Sequence, residues 1–141
     1  MRVPFRALQE ALIARLSAGL GTVPIYCPVV PESTAAPYAN ISGNMTLSLE
    51  PSRIATRDRW TYEVSCYINV LSTKPETTVE SDDLLNTIAQ LLSQPLEVVG
   101  YEWGGQEITR ISTATGQDPT GLVQSGTVEF RIWLASTEAR S

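Results

Sequence analysis

The spacing of apolar residues near the start of the chain predicts an amphipathic helix over residues 4–20. Pro4 suits the first helical turn, and Gly19 and Gly21 favour the end of the helix. Because only one face is apolar, we expect this helix to lie on a sheet. The apolar positions that recur at helical spacing are Phe5, Leu8, Leu12, Ile13, Leu16 and Leu20.

A second helix is predicted to begin near Thr77 and to end before Pro95. Thr77 and Glu80 have the spacing of a capping box, in which each side chain bonds to the backbone of the other residue. This helix also has a single apolar stripe, so it too needs a sheet on one side only. The stripe consists of Val79, Leu84, Leu85, Ile88, Leu91 and Leu92.

Alternating apolar and polar residues predict the strands. The strongest pattern covers residues 60–71, where every second side chain from Trp60 to Val70 is apolar. Residues 23–30 are placed at a sheet edge or in an extended connection, because Pro24 and Pro28 lack the N–H that a ladder needs. Residues 38–45 form a further strand candidate, and residues 45–50 alternate strictly.

The last third of the chain is predicted to be a β-hairpin. Ile108 and Ile111 lie in a β-prone run, and residues 116–121 (GQDPTG) are rich in turn formers. Apolar residues then alternate with polar ones from Val128 to Leu134. Residues 136–141 are polar and are expected to form a loose tail.

The order of these elements indicates the fold class. We expect one α+β domain over residues 1–141, with a mainly antiparallel sheet of about four to five strands and both helices packed on one face. A length of 141 residues suits one domain, and 43% hydrophobic residues suffice for a core. No apolar run reaches the ~20 residues of a membrane span, and no export signal is recognised, so no membrane partner is expected.

The charge balance and the missing residue types narrow the possible chemistry. The net charge of −5 argues against a surface that grips nucleic-acid phosphates, and it suits a protein that lets DNA pass without binding it. The chain contains no histidine, which removes the commonest general base and metal ligand. Cys27 and Cys66 are not in a CxxC pair and are expected to be small buried hydrophobes rather than a disulfide or metal site.

Two pairs of carboxylates are candidates for acid–base groups. Asp82 and Asp83 lie in the first turns of the second helix, where negative charge stabilises the helix dipole. Glu102 and Glu107 flank a predicted turn at residues 104–105 and are expected to be solvated. We therefore predict no enzyme activity, no cofactor and no metal.

The remaining signals point to association with other proteins. Residues 44–59 are predicted to form a projecting loop or hairpin, since a stretch of alternating apolar and polar residues is followed by a charged, basic cluster. This basic cluster suits contact with an acidic protein better than contact with a nucleic acid. The apolar side chains either pack in the core of the monomer or contact a neighbouring subunit, and Trp133 on the last strand is open to the same two interpretations. The candidate interface residues are Met45, Leu47, Leu49, Arg53, Arg57, Arg59 and Trp133.

The order and spacing of these segments resemble a known family. A helix (FRALQEALIARLSAGL) is followed by strands (VPIYCPVVP, APYANISG), a long loop, a long strand (WTYEVSCYINVLS), a helix (LLNTIAQLLSQ) and a last strand (SGTVEFRIWLAS). This arrangement resembles the tail terminator or tail-completion proteins of long-tailed bacteriophages, over nearly the whole chain. The resemblance implies a homo-hexameric ring at the tail–neck junction of the virion, assembled in the bacterial host cytoplasm. Such a ring binds the tail tube protein, ends tube growth and meets the head–neck connector, without enzymatic activity or a cofactor.

Three other functions are also compatible with the sequence. The chain could form a head–neck adaptor ring of the same particle, or it could be a monomeric binding module with one contiguous binding face. An enzyme that uses carboxylates alone would require a cleft that brings two acids together.

Overall fold

The structure, a computed structural model, describes residues 3–32, 34–49, 59–72, 79–118 and 121–139, with the backbone alone at 59–60, 117–118, 121–122 and 138–139. The described residues form two helices and six strands. They are α1 (Phe5–Gly19), β1 (Ile25–Tyr26), β2 (Tyr38–Ile41), β3 (Thr46–Leu49), β4 (Arg59–Ser72), α2 (Val79–Leu91), β5 (Tyr101–Asp118) and β6 (Gly121–Ala139).

The strands form one sheet in the order β1-β2-β4-β6-β5. Strand β6 pairs with β4 from Arg59 to Ser72, so β2 and β3 both occupy the other side of β4. All pairs are antiparallel except β1 with β2, which is parallel. The α+β class with a mostly antiparallel sheet is thus confirmed. The described strands number six rather than four to five because β1 is only two residues long and the chain over residues 38–49 is divided into β2 and β3.

The hydrophobic core lies between the helices and one face of the sheet. Alternate side chains of β4 and β6 point into it, which matches the predicted alternation. Both helices contribute to the same cluster and contact each other, so both lie on one face of the sheet, as expected. We call this the helical face, and its central members are Leu8, Leu12, Leu16, Tyr62, Val64, Cys66, Ile68, Leu85, Ile88, Val128, Phe130, Ile132 and Leu134.

Each helix departs from its predicted apolar stripe at one residue. Ile13 lies at the margin of the buried face of α1 and is 37% exposed, because the packed row follows Leu8, Leu12 and Leu16. Val79 is 62% exposed at the first position of α2, where the helix has not yet reached the sheet contacts made by Leu84 and Leu85. The predicted ends are close to those observed: α1 ends at Gly19 and Gly21 has a φ of +63°. Thr77, the predicted capping residue of α2, lies outside the described residues.

The C-terminal hairpin is longer than predicted. Strands β5 and β6 pair up to Asp118 and Gly121, and residues 119–120 lie outside the described chain. The turn predicted at residues 104–105 is wrong: the strand continues through these glycines with a register shift, and Gly105 has a φ of +137°, which a side chain would strain. The loose tail is also wrong for residues 136–139, because β6 runs on to Ala139 and Ser136 pairs with Tyr101.

The turn after α2 is held by side chains from two other elements. Gln106 of β5 donates from Nε2 to the carbonyl oxygens of Leu92 (2.5 Å) and Gln94 (2.7 Å), and its Oε1 accepts from the N–H of Leu96 at 2.9 Å. Arg15 of α1 donates to the carbonyl oxygens of Leu91 (2.7 Å) and Pro95 (2.9 Å). These bonds satisfy carbonyl groups that the helix end leaves without partners.

Candidate interaction surfaces

The face of the sheet opposite the helices carries a charged cluster. Arg131 of β6 lies between Glu63 of β4 and Glu107 of β5, with Nε 2.9 Å from Oε1 of Glu63 and Nη1 3.6 Å from Oε1 of Glu107. The contact with Glu63 is ionic, since its angle is poor for a hydrogen bond. The Arg131 guanidinium also lies 6.0 Å from the centre of the Trp133 ring. We call this side of the sheet, opposite the helices, the open face. On it, charges of alternating sign link β4, β6 and β5.

Polar pairs continue along the open face. Thr127 of β6 donates a hydrogen bond to Oδ1 of Asn69 on β4 at 2.8 Å, and Arg110 of β5 is the register partner of Glu129 on β6. A sheet face with polar and charged side chains of both signs suits water or a polar partner, and not a second hydrophobic core. The sequence showed that these positions are polar, but only the strand register shows which charges meet.

The structure divides the predicted interface residues among several places. Met45 and Leu47 are partly buried and pack against the core, which favours the monomer-core interpretation for these two. Leu49 is 54% exposed at the end of β3. Arg53 and Arg57 lie outside the described residues, and Arg59 is described only by its backbone pairing with Ala139.

The sheet separates Trp133 from Leu47 and Leu49. It is 5% exposed, and its strand partners are Glu63 and Gly105, so its ring lies towards the open face while Leu49 lies on the helical face. A Cβ added at Gly105 would lie 3.5 Å from the Trp133 ring, so the glycine borders the indole. Trp133 therefore offers little area to a partner, and its role at an interface stays a prediction.

The exposed large apolar side chains that lie on described strands are on β3 and β5, at the two sides of the sheet. Trp103 and Ile111 on β5 are 42% and 47% exposed, and Leu49 on β3 is the exposed residue at the other side. Val29 and Val99 are exposed in connecting segments. The sequence patterns did not identify the β5 residues as surface residues, because an apolar residue at an edge and one in the core read alike.

The candidate acid–base groups and the two cysteines lie on different elements of the fold. Glu107 pairs with Arg131 rather than with a second acid, and Asp82 and Asp83 are exposed at the start of α2. Cys27 and Cys66 are free thiols, and burial raises the pKa of Cys66 to about 12. Within the described parts of the chain, no three His, Cys, Asp or Glu side chains come together as a metal site.

A cleft of about 540 Å³ separates the end of α1 from the start of α2. Its lining includes Leu20, Leu84 and the carboxylates of Glu80 and Asp83, and Glu80 accepts a hydrogen bond from Ser72 at 2.9 Å. These groups supply no nucleophile with an adjacent base. None of the helices in the described chain has the length and apolar character needed to cross a membrane.

Comparison with protein-family models and with curated protein sequences finds no match. Among solved structures, a similar fold occurs in a chain of a structure described as "Virion of native gene transfer agent (GTA) particle". The TM-score is 0.66 at 15% sequence identity, and the match covers 96% of this chain and 100% of that chain. At this identity the likeness shows the fold. The chain therefore shares its fold, over almost its whole length, with a component of that virion.

Proposed function

We propose that this chain is a structural protein of a phage-like virion, and that it forms a ring which closes the tail tube and joins it to the neck. The observation that carries the proposal is the end-to-end fold match with a chain of the gene transfer agent particle, which leaves neither chain with a large unmatched part. The order of segments in the sequence, which resembles tail terminator proteins, supports the same function independently.

The surfaces of the molecule support a role in assembly. The described residues offer paired charges on the open face and exposed apolar side chains at the sheet edges, and Glu107 pairs with Arg131 rather than with a second acid. A closed ring requires two different patches on each subunit, because each copy meets the next through a heterologous contact. A sheet with two unlike edges provides such patches.

The charge of the chain fits a ring through which DNA passes. A net charge of −5 disfavours adhesion of DNA phosphates to a lumen wall. In this proposal the partners are further copies of the chain, the tail tube protein and the head–neck connector, and DNA crosses the lumen without specific binding. The ring is a hexamer, and it needs no cofactor and has no catalytic activity.

Deletion of the gene in a host that produces the particles tests this function. We expect heads without attached tails and tail tubes of uncontrolled length, and restoration of normal particles when the gene is supplied from a plasmid. Tubes of normal length that stay detached from heads would instead indicate a head–neck adaptor. Normal particles at normal yield would refute a virion role.

A further inference from the structure

Two exposed apolar side chains lie at the same level on opposite sides of the sheet. Leu49 of β3 is the register partner of Tyr62 on β4. Tyr62 is the partner of Leu134 on β6, which is in turn the partner of Trp103 on β5. Side chains directly opposite one another point to the same face, and Tyr62 and Leu134 are buried in the core. Leu49 and Trp103 therefore both belong to the helical face, at the two ends of one row, and are 54% and 42% exposed.

The directions of the strands at the two sides are compatible with pairing between copies. Strand β3 is antiparallel to β4, β4 to β6, and β6 to β5, so β3 and β5 run in opposite directions. Strand β1 is parallel to β2, which is antiparallel to β4, so β1 also runs opposite to β5. A second copy placed by rotation about an axis parallel to the strands therefore presents β1 and β3 antiparallel to β5, with each row at its own level.

Strand β1 sets how closely a second copy can approach. It is the outermost strand on its side, because β2 separates it from β4, whereas β3 pairs with β4 directly. The registers across the sheet place Ile25 of β1 level with Thr113 of β5, and Tyr26 level with Ser112. When β1 of one copy lies beside β5 of the next, β3 stays one strand further away, at about 10 Å from that β5.

The backbone of β1 can pair on its outer side despite the neighbouring prolines. The carbonyl oxygen of Pro24 accepts a hydrogen bond from the N–H of Ala39 on β2 at 3.0 Å, so the backbone of Pro24 faces β2. Backbone groups alternate in direction along a strand, so the N–H and carbonyl of Ile25 face away from β2. Within the described chain, β1 pairs only with β2.

Strand β5 has two parts that match this arrangement. Residues 111–116 (ISTATG) are uncharged, exposed and in regular register with β6, so their outer edge can accept β1. Register shifts interrupt the strand between Trp103 and Gly105 and between Ile108 and Arg110, and such bulges disfavour pairing with another strand. At that level the next copy offers β3 across a space one strand wide. The large Trp103 ring can fill this space and contact Leu49.

We infer that copies of this chain associate edge to edge without displacement along the strands. Strand β1 of one copy pairs with residues 112–113 of β5 in the next, and Leu49 of the first copy packs against Trp103 of the second. Tryptophans that become buried at a contact often dominate its binding energy. The contact is heterologous and level, so repeating it by rotation closes a ring. This inference rests on the proposed function and specifies the subunit interface of that ring.

Cross-linking tests the level of the contact. Tyr26→Cys and Ser112→Cys are combined in a Cys27→Ser background, and Cys66 is retained because its thiol is buried. Side chains directly opposite in antiparallel strands have Cβ atoms about 4.5–5.5 Å apart, so mild oxidation should link them between copies. We expect a ladder of linked chains that ends at the ring size, both in free protein and in purified particles. The matched control, Tyr26→Cys with Gly116→Cys, moves the second thiol about 13 Å along the same face of β5 and should give no ladder.

A pair of complementary variants tests the contact between Leu49 and Trp103. Leu49→Asp alone and Trp103→Lys alone should each lose the ring, because each places a charge against an apolar partner. A 1:1 mixture of the two should recover rings, since Asp meets Lys at one contact and the intact Leu49 meets the intact Trp103 at the next. Val79→Lys is the control: Val79 is 62% exposed but lies on α2, away from both edges, so its rings should persist. Circular dichroism checks that each variant is folded.

The outcomes separate this contact from the proposed function. A ladder from the Gly116→Cys pair and none from the Ser112→Cys pair would mean that the copies are displaced along the strands, which overturns the level contact. Rings that tolerate Leu49→Asp and Trp103→Lys, or variants whose mixture recovers no rings, would overturn the packing of Leu49 on Trp103 and leave the proposed ring in place. Absence of the unaltered chain from rings and particles would overturn both the contact and the proposed function.

Discussion

Gly126 of β6 lies directly beneath Leu85 of α2, and a Cβ added to the glycine would be 2.7 Å from Cδ1 of the leucine. Leu85 is 3% exposed and belongs to the hydrophobic core, so it must shift to make room for such a Cβ. The missing side chain at residue 126 therefore sets how closely α2 approaches the sheet.

Gly126→Ala is expected to lower the free energy of unfolding by about 1–3 kcal/mol, because the added methyl overpacks a filled core. Urea denaturation measures this change. Gly116→Ala is the matched control on the other strand of the same hairpin, since its Cβ would meet only Cγ2 of Val123 at 3.7 Å. A Gly126→Ala variant as stable as the Gly116→Ala variant would contradict the close approach of helix and sheet.

Gln106→Glu is expected to destabilise the protein by about 1–3 kcal/mol, because it removes two N–H donors and brings a negative charge to the carbonyl oxygens of Leu92 and Gln94. Thermal unfolding followed by circular dichroism measures the effect. Gln94→Glu introduces the same charge in the same turn through an exposed side chain, so it should change the stability by only a few tenths of a kcal/mol. Equal effects of the two variants would show that charge alone matters there.

Arg131→Met is expected to cost about 0.5–1 kcal/mol, because it leaves Glu63 and Glu107 without the cation between them while its partly exposed position weakens each ion pair. The cost should shrink as NaCl is raised, since salt screens both the attraction in the parent and the repulsion in the variant. Chemical denaturation in urea at several salt concentrations gives this dependence. A cost that does not vary with salt would mean that Arg131 acts through packing on Trp133.

The two thiols should differ in reactivity. A disulfide reagent at pH 8 is expected to modify Cys27 in the folded protein and to leave Cys66 unmodified until denaturant is added, because burial raises the pKa of Cys66 to about 12. Cys27→Ser should therefore abolish the reaction of the folded protein. The unfolded state releases this proton near the ordinary thiol pKa of 9.0, so the Cys66 contribution to the free energy of unfolding should fall as the pH rises from about 9 towards 12. Rapid modification of both thiols without denaturant would contradict the buried position of Cys66.

The loop prediction from the sequence can be tested with a shorter deletion than residues 44–59, because residues 46–49 form part of the sheet. Replacing residues 51–57 with Asn-Gly should leave a folded chain that no longer enters particles, if Arg53 and Arg57 contact a partner. Circular dichroism checks the fold, and protein gels of purified particles check incorporation. Normal incorporation of this variant would show that residues 51–57 are not needed for contact with a partner.

The sequence predicted the elements whose signal lies within one segment. Leu8, Leu12 and Leu16 mark α1 because their spacing repeats on one helix, and the alternation through Cys66 and Ile68 marks β4 for the same reason. Gly104 and Gly105 misled the prediction, since two glycines are typical of a turn and also of a bulge within a strand, and only pairing with β6 separates the two.

Features that depend on register were not predictable from the sequence. Arg131 meets Glu63 and Glu107 because β6 lies between β4 and β5, an order that no local pattern encodes. The exposure of the Ile111 side chain likewise depends on the position of β5 at the edge of the sheet. Such relationships join residues far apart in the chain, so they follow from tertiary structure alone.

The most direct test of the proposed function is electron microscopy of the purified chain in negative stain, alone and mixed with isolated tail tubes from the same particle. We predict six-fold rings, either free or seated on one end of each tube. Monomers that leave the tube ends bare would contradict the ring and its place at the tail end.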